Sequence, residues 1–367
     1  NMARIVFVHL YNDRSGSPRV LAQVINSLKD HHDCVVFTGG GGNGFLTELD
    51  VTVKKFPYRR GQSRIATLRN YLYSQFTLFL TLLFDQHTRG ADLFYINTAF
   101  PFGAALAARL VRKPVIYHFH EVSVTPSLLR VFLLGIARAT AKLGLYVSDT
   151  HQTLLRISKI RTQVLPNALD PSFILEAQRH VYRPMINGEF RVLMLASLRE
   201  YKGIAALAAL AAHFAHRGNV RFVLVANDAP DKVAEFRAKY QTPNFEIHDA
   251  TCSPERYYKK ATILLNLSNP ETWIETFGLT LIEAMAFGVP VIAPPVGGPS
   301  EIVRDRVEGF LVDSRDHDSL ISVLEQLIHS PVILVSMSAK ARQRAENYAP
   351  GRFTQRIRDQ INRVLYQ

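Results

Sequence analysis

The chain has 367 residues, 47% of them hydrophobic and 20% charged, which is too apolar for a disordered protein and longer than one core usually supports, so two folded domains are expected. Its two cysteines, Cys34 and Cys252, stand far apart in no Cys/His spacing, which argues against a disulfide framework or a zinc site and fits a reducing, cytoplasmic compartment. The net charge of +12 is lopsided, with 20 Lys/Arg against 9 Asp/Glu in residues 1–168 and 23 against 22 afterwards, so the first half favours anionic partners unless the excess is only a solvated surface.

The chain starts directly on an apolar strand at residues 4–10, without the long apolar run and cleavage site of a signal peptide. A polar loop with Gly16, a helix over 18–29 and a second strand over 33–38 complete a βαβ unit. The run Gly39 to Gly44 fits G-x-G-x-x-G. It follows the second strand, however, and leads only into the short stretch 45–49, so it reads as a flexible loop near an acceptor rather than a dinucleotide site. Residues 71–84 are nearly uncharged but fall short of the roughly 20 needed to span a bilayer, which predicts a buried or interfacial helix. Lys54, Lys55, Arg59, Arg60, Arg64 and Arg69 precede that apolar region. Strands follow at 93–97, 115–120 and 143–147. The second ends in His118, Phe119, His120 and Glu121. Alternation puts both histidines on one face, each either site-facing or bonded into the core.

A polar stretch between Pro166 and Pro184 reads as a linker, after which the pattern returns. A strand (191–196), a loop (197–203), an Ala/Leu-rich helix (204–216) and a strand (220–226) open a second half. Further strands are predicted at 263–267, 289–293 and 309–312. Strands alternating with helices mark parallel sheets covered on both faces. The expectation is an α/β protein of two Rossmann-like, doubly wound domains facing across a cleft, residues 1–168 and 169–349, with a terminal helix (350–367) packing back on the first. Asp316-His317-Asp318 has the spacing of a metal-diphosphate site but precedes a helix over 319–329 and reads as its cap.

The densest chemistry lies between Asn269 and Ile292. Glu275 and Glu283 stand eight positions apart across a Phe-Gly turn, the second inside an apolar helical run. A helix starting near Gly278 would turn the amides of Gly278, Leu279 and Thr280 into an anion site, with the two carboxylates free to accept hydrogen bonds from paired hydroxyls. A Glu pair near a helix start is otherwise cap and surface charge. Upstream, Arg199, Lys202 and Gly203 follow the first strand of the second half, where an open sheet places its ligands and cations can neutralise a diphosphate.

The run from Glu275 through Glu283-Ala-Met-Ala-Phe-Gly-Val-Pro-Val-Ile resembles the hallmark of the retaining, GT-B-fold glycosyltransferases of family four. The match continues through Gly297-Gly-Pro-Ser-Glu301-Ile-Val and Glu308-Gly-Phe-Leu-Val. The resemblance implies that Glu275 contacts the transferred sugar, Glu283 the ribose, and the backbone of Phe277, Gly278, Leu279 and Thr280 the diphosphate. Lys202, with Arg199, would steady the leaving group. In the first half, Gly16 resembles the family's glycine loop, with one customary glycine replaced, and His120 aligns with its sugar-facing histidine. Two further departures are Ser197 where the family has an arginine and Ala168 where a linker glycine is usual.

The implied activity is transfer of a hexose, glucose from UDP-glucose, to a hydroxyl of a saccharide or polyprenyl-linked saccharide in exopolysaccharide or cell-surface glycan assembly. Neither a metal nor another cofactor is expected, nor a nucleic-acid partner. Peripheral contact with an anionic membrane at its inner face is. The rivals are a catalytically silent sugar-nucleotide sensor and a phosphorylase or epimerase of the same fold.

Overall fold

The computed structural model describes residues 2–40 and 42–367. Gly41, in the glycine run read as a flexible loop, lies outside them. The chain divides into two compact units, Asn1–Pro166 with Phe353–Gln367, and Asn167–Arg352.

The first unit is built on strands β1 (Arg4–His9), β2 (Asp33–Gly39), β3 (Thr52–Phe56), β4 (Leu93–Asn97), β5 (Val115–His118), β6 (Leu143–Tyr146) and β7 (Arg161–Val164). They form one parallel sheet in the order β3-β2-β1-β4-β5-β6-β7. Helices cover both faces, so the central strands are apolar throughout and Ile5 to Val8 are all fully buried. The chain winds outward from β1 to β3 and then crosses back to β4. This leaves a switch point at the carboxyl ends of β1 and β4, where open sheets hold ligands. His9 and Asn97 stand at those two ends.

The second unit repeats the plan with β8 (Phe190–Ala196), β9 (Val220–Ala226), β10 (Phe245–His248), β11 (Ile263–Leu265), β12 (Val291–Ala293) and β13 (Gly309–Leu311), in the order β10-β9-β8-β11-β12-β13. Its switch point falls between β8 and β11, below the loops that carry Lys202 and Glu275. Two doubly wound Rossmann-like units are therefore present, as the strand pattern predicts.

The terminal helix Pro350–Tyr366 buries Phe353, Ile357, Ile361 and Val364, a stripe at helical spacing. Thr354 and Ser27 share a 2.9 Å hydroxyl contact, Arg358 Nε donates to the Ser27 carbonyl at 2.9 Å, and Lys142 Nζ donates to the Val364 carbonyl at 3.0 Å. Asp316 accepts from the Ser319 amide at 3.0 Å at the start of helix His317–His329, which is the capping role read from the sequence. The apolar stretch 71–84 belongs to helix Arg64–Phe84, capped by the Ser63 hydroxyl on the Ala66 amide at 3.1 Å. No single helix among the described residues is long and apolar enough to cross a membrane.

Candidate active site

In the second unit, β8 ends at Ala196 and the chain makes a tight turn over Glu200–Lys202 that closes on Gly203. Gly203 has φ +78°, and a Cβ there would sit 2.1 Å from the Leu267 carbonyl oxygen, so only glycine lets the turn pack this closely. The turn brings Lys202 Nζ to 3.0 Å from Glu275 Oε2. The same oxygen accepts from Ser268 Oγ at 3.1 Å and lies 3.5 Å from Asn266 Nδ2, whereas Oε1 has no partner among the described residues. Tyr201 and Trp273 stack with ring centroids 4.7 Å apart, and the Lys202 ammonium lies 5.8 Å from the Trp273 centroid. The Gly298 amide donates to the Glu275 carbonyl at 2.8 Å and holds that loop in place.

Helix Leu279–Ala286 begins after Gly278, whose φ of +104° breaks the extended chain into the helix. Gly278, Leu279 and Thr280 line a pocket of about 400 Å³ together with Lys202, Glu275 and Glu283. The Leu281 amide already donates to the Gly278 carbonyl at 3.1 Å, which leaves the amides of Leu279 and Thr280 without an acceptor in their own helix, and the helix dipole adds a partial positive charge there. Glu283, five residues into the helix, is 8% exposed, and its Oε2 accepts from Tyr258 Oη at 2.6 Å. Burial, and then the Glu283 charge, push the Tyr258 hydroxyl far above its ordinary pKa, so it remains a donor. Ala250 and Thr251 line the same pocket.

Two sequence-predicted residues stand apart. Arg199 is exposed and does not line the pocket, because the turn that follows it carries Lys202 toward the pocket, and Ser197 supplies the lining there instead. Phe277 is core, its ring 5.8 Å from that of Tyr348, which leaves only its backbone for a ligand.

The first unit holds its own cleft of about 1400 Å³, lined in part by Gly16, His120 and Glu121. Gly16 opens helix Gly16–Leu28, and a Cβ there would meet nothing within 4 Å, so packing does not demand the glycine. Asn97 Nδ2 lies 3.1 Å from the Ser17 carbonyl and 3.1 Å from His9 Nδ1, and Asn97 Oδ1 lies 2.8 Å from His120 Nε2. A carbonyl can only accept, so the contact to Ser17 fixes the amide's orientation. His9 Nδ1 must then accept, and His120 Nε2 must donate. Burial, then the neighbouring His118 and His9, hold the His120 pKa well below the usual histidine value, so its ring is neutral with Nδ1 as an acceptor.

His118 is a core histidine. It is fully buried, bonded through Nδ1 to Tyr95 Oη at 2.7 Å, and lowered by burial to a pKa of about 3. Glu121 accepts from the Ala99 amide at 2.7 Å and the His120 amide at 3.1 Å, while burial raises its pKa. Tyr258, Asn97, Asn266, Ser268 and Trp273 were not singled out by motif. Trp273 and Ser268 flank the Glu275 run, whereas Tyr258 and Asn97 carry no local signal. Among the described residues no group of three or more His, Cys, Asp or Glu side chains is arranged to hold a metal ion.

Comparison with known proteins finds that the chain is similar to glycosyltransferases. Residues 183–351 match the family model described as glycosyl transferases group 1, and residues 14–173 match that of glycosyltransferase family 4. A sucrose synthase of Acidithiobacillus caldus is 42% identical over 88 residues, 23% of this chain and 11% of that protein. The chain thus matches only a small part of that relative's length. HepE of Anabaena, solved in complex with UDP and glucose, superposes with a TM-score of 0.74 at 22% identity, covering 98% of this chain and 99% of that one. A glycosyltransferase from Rickettsia africae superposes with a TM-score of 0.79 at 18% identity over the whole of both chains. At these identities the superpositions establish the fold.

Proposed function

Because the chain belongs to the family 4, group 1 glycosyltransferases, we propose that it moves a hexose from a nucleoside-diphosphate sugar, UDP-glucose, onto a hydroxyl of a saccharide or lipid-linked saccharide with retention of configuration. The observation that carries the reading is the pairing of Lys202 with one oxygen of Glu275 beside the open N-terminus of helix Leu279–Ala286. One cation and the first-turn amides suit a diphosphate, and the unpartnered Glu275 Oε1 suits a sugar hydroxyl. Glu283, steadied by Tyr258, suits the paired hydroxyls of a ribose. UDP and glucose bound to HepE support the choice of donor.

In the proposed step the bond between the anomeric carbon and the diphosphate oxygen breaks, the acceptor oxygen bonds that carbon from the same face, and the acceptor proton passes to the departing diphosphate. Lys202 and the amides of Gly278 to Thr280 stabilise the charge that develops on the leaving group. His120, neutral and with Nδ1 open, accepts a hydrogen bond from a sugar hydroxyl in this scheme. The diphosphate is held by these groups without a metal ion, so magnesium is expected to leave nucleotide affinity unchanged.

Ser197 favours a second reading, a silent sugar-nucleotide sensor, since it lines the pocket where the family carries an arginine. Calorimetric titration with UDP, GDP, ADP and UDP-glucose, on the natural chain and on Glu283→Ala, separates the two when combined with a UDP-release assay in the presence of saccharide acceptors. Binding of one nucleotide, lost in the variant, with UDP release only when acceptor is present, is the transferase result. Binding without release under any acceptor favours the sensor, and no binding to any of the four overturns the donor assignment.

A further inference from the structure

We propose that the face of the first unit formed by helices Arg64–Phe84, Phe102–Leu110 and Ser127–Thr140 is a docking surface for an anionic lipid bilayer. The first of these helices packs against the second, and the second against the third, so they form one continuous layer. Helix Arg64–Phe84 buries Tyr71, Leu78 and Leu82 against the unit, yet the opposite side is also apolar, with Leu72, Phe76, Leu80 and Phe84 at four-residue spacing all exposed. Phe76 is 62% exposed. The layer continues with Leu110, 63% exposed, and Leu128, 82% exposed, beside Val131 and Phe132. Twelve of the twenty exposed large hydrophobic residues among those described lie on these three helices. A soluble surface helix usually turns charge, not a second apolar stripe, to water, and patches this concentrated mark an interaction site.

The charge of the layer selects the partner. The three helices carry Arg64, Arg69, Arg109, Arg130 and Arg138 and not one Asp or Glu. Beyond the ends of the second and third helices, Arg112, Lys113 and Lys142 join Arg109 around a groove in which, among the described residues, Asp92 is the one acidic side chain. A surface for a second copy of this cationic chain would set arginines against arginines. Apolar residues interleaved with cations match instead a bilayer whose headgroups are negative and whose acyl chains lie just beneath. Ile65 and Leu68 belong both to the exposed stripe and to the lining of the cleft that holds His120, so a docked bilayer meets the rim of that cleft. If the transferase reading is right, this geometry favours a lipid-linked acceptor over a soluble one. The docking itself does not depend on that reading.

The test is sedimentation of the whole chain at low salt with vesicles of phosphatidylcholine alone and of phosphatidylcholine with phosphatidylglycerol. The expected result is binding to the mixed vesicles at least about tenfold tighter than to phosphatidylcholine, with at least about tenfold loss in Leu72→Glu/Phe76→Glu, whose side chains lie outside the cleft. Leu110→Glu/Val131→Glu, on the other two helices, provides the same reading should the first pair impair folding, which circular dichroism reports. UDP titration of the variants should match the unmutated chain, which separates failure of docking from failure of the donor site. An unmutated chain that ignores both vesicles, or folded variants that bind as it does, overturns the proposal. A dimer by light scattering that either variant converts to monomer overturns it in favour of a second copy as occupant.

Discussion

Glu275 gives one carboxylate oxygen to Lys202 at 3.0 Å and leaves the other without a protein partner among the described residues. In the proposed reaction each oxygen has its own task, and the two tasks can be separated by mutation. Glu275→Gln keeps the shape and removes the charge. It should lower kcat by roughly 10²–10³, the loss typical of a group acting on a transition state, while UDP without sugar binds no more weakly, because Lys202 is released toward the diphosphate. Lys202→Met should instead weaken UDP itself by about tenfold or more. Paired measurements of kcat and UDP affinity check this, and equal losses of UDP binding in both variants would refute the division of roles.

Tyr258 donates to Glu283 at 2.6 Å, the tyrosine fully buried and the glutamate 8% exposed at the pocket. Tyr258→Phe leaves the ring stack with Phe287 possible but removes one hydrogen-bond donor from a buried carboxylate, at a cost of about 1–3 kcal/mol. The expected outcome is a lower melting temperature and about tenfold weaker UDP binding at neutral pH, since the proposed ribose contact needs the carboxylate held where the Tyr258 hydroxyl now fixes its Oε2. Calorimetry on the variant decides it. Undiminished UDP affinity would mean that the Tyr258 hydroxyl is not what positions Glu283.

His9 lies fully inside the first unit, where burial lowers its pKa from 6.5 to about 4. The unfolded chain therefore takes up a proton near pH 6.5 that the folded chain refuses, and stability falls as pH drops from 6.5 toward 4, levelling below that. At 1.36 kcal/mol per pKa unit the loss from His9 alone is about 3 kcal/mol, fully absent above pH 6.5. Denaturant unfolding of the natural chain and of His9→Asn should show a stability gap at pH 7 that narrows by about 2–3 kcal/mol at pH 4.5. A gap independent of pH would show that His9 does not titrate in this window.

The central strands could be read from sequence because parallel strands covered on both faces are apolar without interruption, as in Ile5 to Val8. The edge strands β3, β7 and β10 could not, since each mixes polar with apolar residues and β3 is largely open to solvent. At the pocket, Lys202, Glu275 and Glu283 sit in contiguous motifs and were legible. The exposure of Arg199 was not, because which residue of a four-residue turn faces inward is set by backbone geometry rather than by residue type. Tyr258 and Asn97 were hidden for a different reason. Their partners, Glu283 and His120, lie 25 and 23 residues away along the chain, and only the parallel topology brings them together.

That topology makes Asn97 a positioning residue for His120, and the consequence can be tested without any substrate. With the Ser17 carbonyl fixing the amide, both His9 and His120 must carry their proton on Nε2. Nitrogen–carbon correlation spectra of the imidazoles should show this tautomer for both rings at neutral pH. Asn97→Asp replaces the donor toward His9 with an oxygen and adds a negative charge, so it should raise the pKa of His120, as a nearby opposite charge does. The acidic limb of the kcat/KM profile would shift by the same amount. Asn97→Leu removes the anchor without adding charge. It should lower kcat and leave the limb in place, a difference that a merely structural asparagine would not produce.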